Sequence, residues 1–256
     1  MKKQAVKPVR RVGASPEGEV ARAIAATEPV AVKKRSGKTK NPLLPERVAA
    51  ILDALEKTYP GAVCALNHTS AWELTVATIL SAQCTDARVN LVTPTLFKRY
   101  PTPKDIAAAS LPELEEVIRT TGFFRNKSKS IQGAGRAVVE RYGGEVPQTM
   151  EELLELPGVA RKTANVVLGS WFAIAVGVVV DTHVLRLSRR LELTNETDPV
   201  KVEQDLMKVI PETKWIDYSH MIIQHGRQIC IARKPQCADC TLEKLCNSGD
   251  KTWSSH

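Results

Sequence analysis

Hydrophobic residues return at helical intervals along most of this chain. Val48, Ile51, Leu52, Leu55 and Tyr59 recur at steps of three and four, which puts them on one face of a helix and leaves the polar positions between them for solvent. The same period runs through Val184, Leu187 and Leu191 and through Val202, Leu206 and Val209. Start signals recur along the chain. Ser70…Glu73, Ser110…Glu113 and Thr149…Glu152 have the form in which a hydroxyl accepts from the third helical N–H and a carboxylate reaches back to the cap. Asp198-Pro199 places a capping carboxylate before a proline at the first helical position. No two-residue hairpin turn separates alternating runs, and Ile174 to Val180 is the single β-like stretch. The pattern predicts an all-α chain. The longest apolar run, Trp171 to Val180, is interrupted by Gly177 and spans about half of the ~20 residues that a membrane helix needs, so no membrane partner is expected.

Composition adds a size and charge adds an end. A chain of 256 residues that is 43% hydrophobic can bury a sizeable core in one or two domains. The net charge is +8, and residues 1–41 hold all of it: eleven lysines and arginines against three glutamates, while the rest of the chain carries 25 of each sign. A neutral body with a basic N-terminal arm is therefore expected. The arm has no aromatic residue and no sustained apolar period, a composition that reads as disordered. It is a polyanion-binding extension that adds salt-sensitive affinity for nucleic acid, or a solvated tail, and an organelle-targeting peptide is a third reading.

Six cysteines are too few for a disulfide scaffold in a chain of this length, and Cys230, Cys237, Cys240 and Cys246 crowd together as C-x6-C-x2-C-x5-C. Four thiolates so close can surround one metal centre, which points to a reducing compartment. Structural zinc usually brings two paired C-x2-C knuckles; with one close pair here, a four-iron cluster suits the spacing better and zinc is the alternative. Arg227, Arg233, Lys234 and Lys244 flank the cysteines, either as a basic loop held against phosphates or as charges that balance the thiolates. Cys64 and Cys84 lie far off and read as buried packing residues, and His183 and His225 read as structural.

A second signal is Leu156-Pro157-Gly158-Val159-Ala160-Arg161-Lys162, between a short capped helix at Met150 to Leu154 and a second helix with Val167, Leu168 and Trp171 on one face. Helix, glycine turn, helix is an arrangement whose amides face a DNA phosphate and whose carbonyls can hold a monovalent cation. Lys162 falls in the first turn of the second helix. By residue type it is a phosphate contact or, as a free amine, a nucleophile.

Together, the segment Leu156 to Val167, the Val180-Asp181-Thr182-His183 motif and the four-cysteine loop resemble the endonuclease III family of iron–sulfur DNA glycosylase/lyases. The resemblance covers about residues 43–250, with the motifs in the family's order; adenine-mismatch glycosylases of the same superfamily carry a small hydroxyl residue where this chain has Lys162. It implies the helix-hairpin-helix glycosylase fold: a six-helix barrel domain at about 64–174, a [4Fe–4S] cluster domain made of 43–63 with 175–250, and DNA in the cleft between them. Ala160 stands where the family usually has glycine, and its methyl is harmless in helical backbone but crowds a phosphate at positive φ.

The chemistry implied is base excision repair of duplex DNA carrying oxidised pyrimidines or abasic sites. Lys162 attacks the anomeric carbon of a flipped nucleotide, the base departs, and β-elimination from the Schiff base cuts the strand on the 3′ side. Asp181, placed in the first turn of the helix that carries Val184, is implied to stabilise the developing sugar cation; by residue type alone it is a helix cap. Gln83 matches a polar wedge for the vacated stack and Phe123 an apolar one, with Gly122 permitting the turn. A helix-terminal glutamine and a core phenylalanine are the plainer readings. The DNA contacts implied are Gln83, Phe123, Leu156, Gly158, Ala160, Arg161 and Lys234, in a monomer located in the cytoplasm with the nucleoid. An adenine-mismatch monofunctional glycosylase and a non-enzymatic iron–sulfur DNA-binding module are the alternatives.

Overall fold

The computed structural model describes residues 43–255, so the basic arm at 1–41 lies outside the described residues. Among the described residues there are helices and no strand. They are α1 (Pro45–Thr58), α2 (Ala71–Leu80), α3 (Asp86–Arg99), α4 (Pro103–Ala108), α5 (Leu111–Ile118), α6 (Phe124–Tyr142), α7 (Met150–Leu154), α8 (Arg161–Ser170), α9 (Thr182–Arg190), α10 (Pro199–Val209) and α11 (Trp215–Gln228), with short 3-10 turns between.

Apolar stripes close onto two cores. The first gathers Trp72, Leu74, Leu80, Leu96, Ile106, Ile131 and Leu168 from α2 to α8. Its centre is α2, which buries eight of its ten residues and is accordingly apolar nearly all round. Two threonines in α2 sit there without loss because Thr75 donates to the Ala71 carbonyl at 2.8 Å and Thr78 to that of Leu74 at 2.7 Å. The second core takes Val48, Ile51, Leu52 and Leu55 from α1 and Tyr59 from its C-cap and joins them to Val184, Leu187, Leu191, Val202, Leu206, Tyr218 and Ile222. From α1 onward the described chain thus leaves the second core, builds the first, and returns. The return is Ile174 to Val180, which reads as β because it is apolar throughout, Ile174 and Val176 half-buried against the first core and Val178 and Val180 buried in the second, yet it has no strand partner among the described residues.

Caps differ from the expected boxes in detail. Ser70 Oγ accepts from the Glu73 N–H at 3.1 Å, but the Glu73 carboxylate accepts from Thr69. Ser110 makes no side-chain cap and donates to the Glu113 carboxylate instead. The reciprocal box forms at Thr102 and Asp105, ahead of α4. Trp171 lies just past α8, 41% exposed and edge-on to His68, so it is not part of the buried face of that helix.

Candidate active-site cleft and metal centre

The hairpin is built by three local requirements. Thr149 caps α7 by accepting from the Glu152 N–H, and Val159 N–H donates to the Leu156 carbonyl to close the turn. Gly158 has φ +81°, and a Cβ there would stand 2.6 Å from Ser130 Cβ, so both the turn and the packing demand glycine. Ala160 is the N-cap of α8 with extended backbone, φ −99° and ψ 170°, which is neither the helical nor the positive-φ case and strains no alanine. Leu156 is 2% exposed and supports the hairpin from the core, so its side chain cannot touch DNA. Arg161 is likewise committed: Nε and Nη2 donate to the two carboxylate oxygens of Glu203 at 2.7 and 3.1 Å, and Asn165 donates to the same carboxylate. This joins α8 to α10 and holds the start of α8 in place.

Lys162 follows Arg161 and is exposed on the wall of a cleft of about 520 Å³. Asp181 lines the same cleft. It is the N-cap of α9 rather than a residue of its first turn, because its Oδ1 accepts from the N–H groups of His183 and Val184 at 2.7 and 2.8 Å. Both cap bonds end on Oδ1, so capping α9 leaves Oδ2 available. The cleft wall also includes Cys64, His220, Asp86 and Arg227, and the last two form an ion pair at 2.5 Å between α3 and α11. Cys64 therefore belongs to the cleft as well as to packing. Burial pushes the His220 imidazole down from its ordinary value, and its Nε2 lies 3.2 Å from Ser170 Oγ.

Gln83 and Phe123 sit in separate turns, Gln83 between α2 and α3 and Phe123 at the start of α6. Both are exposed and both hold positive φ, +51° and +49°. Phe123 is 63% exposed, which removes the core reading, and Gly122 before it has φ +71°. Neither lines the cleft floor with Lys162.

All four clustered cysteines are free thiols that line one small cavity. Arg190 Nη1 donates to Cys230 Sγ at 3.2 Å, the Thr252 N–H to Cys237 Sγ at 3.5 Å, and His225 Nε2 lies 3.3 Å from Cys240 Sγ. Tyr59 Oη meets the other ring nitrogen of His225 at 2.8 Å. Burial pushes the His225 imidazole down to about 4 and the Tyr59 phenol up to about 12, so neither is charged at neutral pH. Donors aimed at sulfur fit a thiolate-held centre. Among the described residues, no set of three or more His, Cys, Asp or Glu is arranged to hold a single metal ion. Charge close to the sulfurs comes from Arg190 and Lys251; Arg233, Lys234 and Lys244 are exposed, and Arg227 pairs with Asp86. Sequence reasoning missed Arg190, Tyr59 and Glu203 because each acts across more than 35 residues of chain. Glu203 carries one hint, an acid flanking the apolar stripe of α10.

Residues 76–212 match the model of the HhH-GPD superfamily of base excision DNA repair proteins. The chain is 60% identical to endonuclease III of a Synechocystis species over 203 residues, 79% of this chain and 93% of that protein. It is 45% identical to endonuclease III of Bacillus subtilis over 207 residues, 80% of this chain and 94% of that one. Its fold resembles that of a trapped endonuclease III–DNA covalent intermediate with a TM-score of 0.77 at 44% identity, covering 80% of this chain and 97% of that one. With the hairpin, Lys162 and Asp181 inside residues 76–212 and with these identities holding over most of both chains, the chain belongs to the endonuclease III family of DNA glycosylase/lyases that act in base excision repair.

Proposed function

We propose that this chain removes oxidised pyrimidines from duplex DNA and cuts the resulting abasic strand, with Lys162 as nucleophile and Asp181 as its partner. One observation carries the reading: Lys162 and Asp181, at the starts of two different helices, line a single cleft of about 520 Å³, a size that admits one flipped nucleotide. Lys162 Nζ bonds to the sugar C1′ as the glycosidic bond breaks, and the base leaves with the bonding electrons and takes up a proton. The Asp181 carboxylate stabilises the positive sugar meanwhile and receives the proton that the lysine must shed. The C1′–O4′ bond then opens, O4′ taking up a proton as Nζ and C1′ form the Schiff base, and loss of the 2′ proton from it expels the 3′ phosphate. Gln83 and Phe123, exposed on two turns, enter the stack that the flipped nucleotide vacates.

The two cores correspond in this reading to a barrel domain and a cluster domain, and Cys230, Cys237, Cys240 and Cys246 hold a [4Fe–4S] cluster. A cluster held there would rigidify the loop that carries the exposed Lys234, a candidate phosphate contact. The hairpin at Gly158 and the uncapped start of α8 present backbone N–H groups to a phosphate.

Borohydride trapping on a duplex that contains an oxidised pyrimidine tests this reading. The parent protein is expected to be trapped covalently, and Lys162→Gln, which keeps a polar side chain but has no nucleophilic amine, is expected to bind the lesion without trapping. Trapping by Lys162→Gln would overturn the nucleophile assignment. A parent that binds but never traps or cleaves would be a DNA-binding module instead.

A further inference from the structure

Lys127, on α6, is 5% exposed, and both acceptors of its ammonium are backbone carbonyls. Nζ donates to the Leu80 carbonyl at 2.9 Å and to the Thr121 carbonyl at 2.8 Å. Leu80 ends α2 three residues before Gln83, and Thr121 ends a 3-10 turn two residues before Phe123. Carbonyls at helix ends lack intrahelical donors, and a cation is favoured there. Lys127 also donates its own N–H to the Phe123 carbonyl at 3.1 Å. One buried residue therefore grips both turns that carry the candidate wedges, elements separated by about 40 positions of chain.

Those turns need holding. Gln83 and Phe123 occupy the left-handed region without being glycine, a conformation that costs on the order of 1 kcal/mol or more and persists when its surroundings fix it. An ammonium taken out of water is itself costly, and burial pushes the Lys127 amine below its ordinary value. Filling the space alone would favour an apolar side chain of the same length. What lysine adds is a pair of donors that fix the distance between two loops.

We propose that Lys127 is a positioning residue for duplex opening: by donating to the Leu80 and Thr121 carbonyls it locks the Gln83 and Phe123 turns in register, so that both side chains enter the base stack together. The inference rests on the reading of Gln83 and Phe123 as wedges.

The test uses Lys127→Met and Lys127→Gln on two substrates. One is a duplex with an oxidised pyrimidine, and the other is a single-stranded oligonucleotide with an abasic site, which has no partner strand to part. Excision from the duplex should fall on the order of 10- to 100-fold for Met and less for Gln, which keeps an N–H donor. Cleavage of the single strand should stay within about threefold, with Lys162 untouched. Combining Lys127→Met with Gln83→Ala or with Phe123→Ala should add little to the larger single effect, because each pair acts as one unit. Independent, multiplying losses would overturn the proposal, as would equal losses on both substrates. Gln83→Ala and Phe123→Ala alone separate the two readings: if neither slows duplex excision, the wedge assignment fails and takes this inference with it. If both slow it while Lys127 acts independently, only the inference fails. Should Lys127→Met not fold, Lys127→Gln carries the same cycles.

Discussion

Asp181 has two carboxylate oxygens and work for each. Oδ1 takes the cap bonds from His183 and Val184, and the residue still opens onto the cleft that holds Lys162. The cap and the proposed catalytic group are thus one side chain, and two substitutions take them apart. Asn keeps an oxygen that accepts the cap bonds but carries no charge, so Asp181→Asn should keep its urea midpoint while base release falls by orders of magnitude. Ala loses both functions and should lose about 1 kcal/mol of stability as well. On a preformed abasic site no base has to leave, so Asp181→Asn should retain more of its activity there than on an intact lesion. Equal losses on both substrates would place Asp181 at the lysine alone. The contrast with Arg161 is instructive at this scale: it neighbours Lys162 in sequence, yet its guanidinium is held by a Glu203 side chain only 5% exposed, and it serves the position of the helix.

Helices here were readable wherever a local rule decides them, and less so where a distant group does. The stripe at Val48, Ile51, Leu52 and Leu55 is buried as its period requires, and Asp198 caps α10 through the N–H groups of Val200 and Lys201. Gly158 was legible as a turn because only sterics on its own φ matter. Ser110 was not legible, since its hydroxyl has a choice between a backbone N–H and the Glu113 carboxylate and takes the latter. Nothing local marks Lys127 as buried, because its acceptors lie six and 47 positions away. The same division shapes two predictions. Gly158→Ala should weaken the hairpin twice, through a positive φ that costs on the order of 1–3 kcal/mol and through the clash with Ser130. Adding Ser130→Gly should relieve the clash and leave the φ cost, so a urea midpoint that recovers in part is expected; full recovery would mean that the backbone bears no strain. The C-terminal turn behaves differently. Glu243, buried at 5% exposure, accepts from Lys251 and Ser255, and its carboxyl is held down at about 2, chiefly by the Lys251 ammonium. A carboxyl whose pKa falls on folding lends stability that is complete above its ordinary 4.5 and disappears as the pH drops from there toward 2. The difference in urea midpoint between the parent and Glu243→Gln should therefore be constant from neutral pH down to about 5 and shrink below it. A difference that grew on acidification would show that Glu243 is not the group being protonated.

At the scale of the whole molecule, two cores are joined by the chain crossing between them and by polar ties at the cleft. Arg161 to Glu203 reaches from α8 to α10, and Arg227 to Asp86 from α11 to α3, so the walls that carry Lys162 and Asp181 are tied to each other by ion pairs. None of this uses the net charge. The chain from residue 42 onward is neutral, and Arg227 in the cleft and the neighbouring Arg161 are already paired with acids, so most of the long-range attraction to a polyanion is expected from residues 1–41 with their net +8. No helix among the described residues is long and apolar enough to cross a membrane. Each phosphate neutralised releases counterions and steepens the fall of log affinity with log salt by about 0.9. Deleting residues 1–41 should then weaken binding to undamaged duplex and flatten that slope by several such steps, measured from low salt to physiological salt. Excision from a saturating lesion duplex should keep its rate, because Lys162, Asp181 and the turns of both proposed wedges lie in the body. An unchanged slope would make the arm a passive tail and would assign the salt sensitivity to exposed cations of the body such as Arg233 and Lys234. A truncated protein that bound normally but no longer excised at saturation would instead put part of the arm at the cleft.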